Sequence, residues 1–74
     1  MLVYIAYVDI SLSEFESVRE FLKVFDNKED VLKFVDECND KDPFDWTTVF
    51  DYSEMNINEK EFKNLKERIE GDII

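Results

Sequence analysis

The run LVYIAYVD at residues 2–9 decides the fold. Leu2, Tyr4, Ala6 and Val8 fall on one alternation, Val3, Ile5 and Tyr7 on the other, and both sets are apolar. Successive side chains of a strand point to opposite faces, so a strand with this pattern is central in its sheet or covered on both sides. A helix would seldom open with so many β-branched and aromatic residues. The run has no basic residues before it and no cleavage-site pattern, and it is too short to span a membrane. It therefore reads as a strand and not as a signal peptide.

Residues 10–26 are open to two readings. Ser13-Glu14-Phe15-Glu16 fits a Ser-x-x-Glu capping box, and Phe15, Val18 and Leu22 recur at helical spacing. Against this, REFLKVFD at 19–26 ends in a compact strand-like run, Leu22-Lys23-Val24-Phe25. The favoured reading is a loop or short helical turn over 11–17, then a second strand to Asp26, antiparallel to the first. One continuous helix is the alternative.

Asn27 offers an N-cap with Asp30 at the third helical position, and a helix follows over 28–39. Val31, Phe34, Val35 and Cys38 form its apolar stripe, with Leu32 at the edge and Lys33, Asp36 and Glu37 towards solvent. Pro43 forbids continuation, which makes 39–45 a turn-rich connection. A third strand spans 46–57 (WTTVFDYSEMNI), with Trp46, Thr48, Phe50, Tyr52 and Glu54 on its ring-rich alternation. The change of character from Tyr52 to Met55 fits a bulge or a strand that switches faces. Asn58, with Glu61 three residues on, caps a last helix whose Phe62, Leu65 and Ile69 recur at i, i+3 and i+7 and which Gly71 stops. The expected architecture is α+β: a small antiparallel three-stranded sheet with helices on one face, in the order β-β-α-β-α.

Seventy-four residues make a single small acidic domain over 1–74. At this size only ~60% of the unfolded chain's surface can be buried, so pairing with a second copy, a homodimer, is compatible with the sequence. Composition favours a packed core nonetheless, with 45% hydrophobic residues and seven Phe, three Tyr and one Trp. A lone cysteine, Cys38, cannot form an internal disulfide, so a cytoplasmic location is expected. Nine bases against nineteen acids give a net charge of −10 and a pI near 4.2. Such a surface repels nucleic acid and anionic membranes and attracts basic proteins or cations.

The acids are not spread evenly. Residues 36–59 (DECNDKDPFDWTTVFDYSEMNINE) hold eight of them against one base, Lys41, threaded with Phe44, Trp46, Phe50 and Tyr52. A disordered acidic tail would have few aromatics, so the pattern points to a folded, charged surface. The last helix and its tail, 60–74, hold four bases and four acids and are neutral.

Little in the chain speaks for catalysis or for a cofactor. There is no histidine, Cys38 sits on an apolar stripe, and the one glycine is at 71, so no phosphate loop exists. The Asp40-x-Asp42-x-x-Asp45 cluster crowds oxygen ligands, but an EF-hand starting there would need an acid or amide at 44 and Gly at 45, where the chain has Phe44 and Asp45. No metal site is expected, and the bland reading is a solvated acidic turn.

The sharper reading is imitation of a nucleic-acid backbone. Duplex DNA carries one charge about every 1.7 Å of axis, and its binders neutralise it with Lys and Arg. A protein presenting carboxylates at comparable density can occupy such a site without binding nucleic acid itself. The residues expected to do so are Asp36, Glu37, Asp40, Asp42, Asp45, Asp51 and Glu54, with Phe44 and Trp46 adding apolar affinity. The bland reading of Trp46 is a core or dimer residue. A second functional class is a module that docks on a host enzyme or assembly factor through an apolar patch or sheet edge, its charge serving only solubility.

VYIAYVD, LKVFDNKEDVLKFVDE and TTVFDYSEMNINE together resemble small phage and bacterial proteins built as strand, strand ending in Val-Phe, helix opened by Lys-Glu, and acidic final strand. The resemblance covers roughly residues 2–61, and its motifs are structural. The helix from Asn58 to Glu70 departs from it, because the family pattern usually ends near the last strand. Phage host-takeover proteins of this size and acidity include DNA mimics, among them an acidic Bacillus-phage inhibitor of the nucleoid protein HU that this chain resembles. The resemblance implies a basic host DNA-binding protein as partner.

Overall fold

A computed structural model describes residues 1–41 and 48–71. Its elements are β1 (Leu2–Ser11), β2 (Ser17–Phe25), α1 (Lys28–Lys41), β3 (Thr48–Asn56) and α2 (Glu59–Glu70). The order is β-β-α-β-α, and the three strands form one antiparallel sheet with β1 in the middle, β2-β1-β3. The fold is α+β.

Strands β1 and β2 form a hairpin around a loop at 12–16. Hydrogen bonds from the Leu12 and Ser13 amides to the Glu16 carbonyl, 2.9 and 3.2 Å, close the loop. Ser13 Oγ accepts from the Phe15 amide (3.3 Å), so the serine of the Ser-x-x-Glu motif organises a turn, in keeping with the favoured reading of a loop over 11–17.

The helices lie on opposite faces of the sheet, which corrects the expectation that both share one. On one face Tyr4 and Ala6 of β1 meet Val31 and Val35 of α1, with Phe25, Phe34, Phe50 and Tyr52 closing around them. On the other, Val3 and Ile5 of β1 and Val24 of β2 meet Phe62, Leu65 and Ile69 of α2. The cause lies in β1 itself. Both its alternations are apolar, each needs cover, and one helix is available per face. Burial runs unbroken from Val3 to Val8.

The expected bulge near Tyr52 is not there. β3 pairs with β1 in continuous register from Leu2↔Asn56 to Ile10↔Thr48. The irregularity sits in β2, where Ala6 pairs with Lys23 but Tyr7 with Phe21, so Leu22 is the extra residue. A straight ladder would set Glu20 against Asp9; the bulge sets Arg19 there and brings the Phe21 ring edge-on to Tyr7, centroids 6.4 Å apart.

The helix ends follow their capping residues. Asn27 Oδ1 accepts from the Glu29 and Asp30 amides (2.8 and 3.4 Å), and Asn58 Oδ1 from Glu61 (2.8 Å). α1 continues two residues beyond the expected end at 39, to Lys41. Gly71 stays in the right-handed helical region, its amide bonded to the Glu67 carbonyl (2.8 Å), and not in the left-handed turn a glycine stop often adopts. A side chain there would run into the Glu67 backbone carbonyl.

Candidate partner-binding surface

Asp36, Glu37 and Asp40 are exposed on the second half of α1, whose Val31, Phe34 and Val35 turn towards the sheet, with Cys38 half-buried. Asp36 and Asp40 are one helical turn apart, ~6 Å along the axis. Three carboxylates over that length stand one per ~3 Å, about half the linear charge density of duplex DNA, with Lys33 and Lys41 flanking them on the helix.

The orientation of β3 splits the other two described acids. Glu54 lies opposite Tyr4 and so on the α1 face; Asp51 lies opposite Tyr7 and so on the α2 face. Both are exposed. The structure therefore brings Asp36, Glu37, Asp40 and Glu54 to one side of the sheet and separates Asp51 from them. Asp42, Phe44, Asp45 and Trp46 lie outside the described residues.

Sequence reasoning missed Asn39, which ties this surface together. Its Nδ2 donates to the Phe50 carbonyl (3.3 Å), and its Oδ1 accepts from the Phe50 amide (3.4 Å). The side chain thus stands in for a backbone partner on the outer side of β3 and fixes the acidic end of α1 to that strand. Two residues on, the Tyr52 amide donates to the Asp51 carboxylate (2.8 Å). Nothing local in the sequence marks Asn39 for this task, since an asparagine near a helix end ordinarily reads as a cap.

Charge is distributed by layer. α1 carries five acids and three bases, while α2 carries four of each. Among the described residues one ion pair forms, between Arg19 and Asp9 on the α2 face of the hairpin, bonded at 2.7 and 3.0 Å. The guanidinium also lies over the Tyr7 ring, 3.9 Å from its centroid. The hydrogen bond from Arg19 holds the Asp9 carboxyl below its ordinary range, and the bond to Asp9 raises Arg19 in return. Among the described residues, Asp36, Glu37, Asp40, Asp51 and Glu54 have no such base within ion-pair distance.

Among the described residues no set of three His, Cys, Asp or Glu side chains is gathered to hold a metal, and no helix is long and apolar enough to cross a membrane. Exposed apolar side chains cluster at the hairpin and on the α2 face: Leu12, Phe15 and Val18 near the loop, and Phe21, Val49 and Met55 on the sheet. Phe15 is 93% exposed, the extreme among them.

Comparison with protein-family models, with curated proteins and with solved structures finds no match to this chain.

Proposed function

We propose that this protein is a non-enzymatic DNA mimic, acting in the cytoplasm, that binds a basic DNA-binding protein of a host cell and blocks its access to DNA, with an HU-like nucleoid protein as the favoured target. The observation that carries the reading is the run of exposed carboxylates along α1, Asp36, Glu37 and Asp40, without an ion pair among the described residues and on the side of the sheet away from the charge-neutral α2. Glu54 adds a further acid on that side. A basic groove that releases counterions from DNA would gain the same release from this surface, without bases to read.

Competition with duplex DNA for a purified HU-like protein tests this. Inhibition should fall steeply between roughly 50 and 200 mM salt, as expected for phosphate-like contacts. The triple variant Asp36→Lys, Glu37→Lys, Asp40→Lys should fold and lose inhibition. Inhibition unchanged by both salt and charge reversal would rule the mimicry out.

A second reading, docking on a host enzyme or assembly factor through an apolar patch, draws support from the exposure of Phe15 and Phe21. It predicts binding that survives high salt and fails when the exposed ring is removed.

A further inference from the structure

On the α2 face an open groove of about 380 Å3 runs between the helix and the sheet, with a lining that is almost wholly apolar. Ile5 and Met55 form its floor, Phe21 one wall, and Leu65, Arg68 and Ile69 of α2 the other. Its size lies at the low end for a ligand site, enough for one large side chain with room around it. Arg68 is exposed at the rim and has no ion pair among the described residues, although it lies on a strongly acidic chain. Arg68 also lines an adjoining hollow with Glu61, seven residues back along α2 and ~10 Å away along the axis.

The hairpin loop carries the complementary shape. Phe15 stands out from a turn closed by three hydrogen bonds, and its ring is almost wholly in water. Acids flank it on both sides, Glu14 and Glu16. Holding a large ring exposed forgoes burial that the core of a small domain could use. An apolar knob between two carboxylates suits an apolar hole with an unpaired guanidinium on its rim.

We infer that the groove is the docking site for Phe15 of a second copy of this chain, with Glu14 or Glu16 of that copy meeting Arg68. Knob and hole lie on different parts of one surface, so a two-fold arrangement can seat each loop in the other subunit's groove and use every contact twice. Two chains of like charge also repel. Screening by salt should strengthen the pairing, the reverse of binding to a basic partner. The inference stands apart from the proposed mimicry and survives its failure.

Sedimentation equilibrium of the purified chain over a wide concentration range, at high salt, is the test. The expected result is a monomer–dimer equilibrium that Phe15→Ala weakens by at least about tenfold, as for a central interface ring. Circular dichroism of that variant should be unchanged, since the ring supports nothing in its own subunit. Arg68→Glu should weaken the dimer, and adding Glu14→Lys with Glu16→Lys in the same chain should restore it. A species of monomer mass throughout, a dimer indifferent to Phe15→Ala, or no restoration by the charge exchange would overturn the inference.

Discussion

Arg19 serves two neighbours with one guanidinium: it holds the Asp9 carboxylate through two hydrogen bonds and lies across the Tyr7 ring. Because the hydrogen bond favours ionised Asp9, that carboxyl keeps its charge to lower pH in the folded chain than in the unfolded one. The contribution is therefore fully present above the ordinary Asp range and is lost as pH falls through the depressed value. In an NMR titration Asp9 should be among the last aspartates to protonate, and Arg19→Gln should return its midpoint to the ordinary range; a midpoint that does not move would assign the shift elsewhere. Neither residue announces this pair in the sequence. They are ten positions apart and meet through a register that one inserted residue sets. Asn39 was hidden for the same reason, because its role exists only once β3 lies beside α1.

At the level of elements, the caps, the apolar stripes of both helices and the centrality of β1 were all legible, since each depends on residues close in sequence. The placement of the helices was legible too, in principle. Val3 and Ile5 demand cover as firmly as Tyr4 and Ala6, so helices on one face would have left half of β1 bare. The bulge was not legible, because Leu22 looks like any strand residue and only the pairing of its neighbours isolates it. Leu22 is unpaired, with Lys23 opposite Ala6 and Phe21 opposite Tyr7. Deleting it should therefore straighten the ladder without changing any partner. The variant should fold at a cost of about 1–2 kcal/mol, the loss of one half-buried leucine, and keep its Tyr7–Phe21 cross-peaks in NOESY spectra. Loss of those cross-peaks would mean that the insertion is needed to hold the register. The acidic surface was legible in composition but not in arrangement: alternation along β3 sends Glu54 and Asp51 to opposite sides.

For the whole molecule, a net charge of −10 with one ion pair among the described residues means that repulsion is poorly offset within the fold. Added salt should raise the melting temperature, by ~4–8 °C for each kcal/mol of repulsion screened in a domain of this size. A flat or falling melting temperature from low to moderate salt would show the acids to be too far apart to matter. Charge also bears on how the sheet meets other chains. A three-stranded sheet has two rims of backbone amides and carbonyls that could template a foreign strand. On β3 the Asn39 amide occupies the rim at Phe50 and the Asp51 carboxylate occupies it at Tyr52. On β2 the bulge at Leu22 and the charges of Arg19, Glu20 and Lys23 break the rim's regularity. Both rims are thereby interrupted where a further strand would have to pair, a strand of a second copy included.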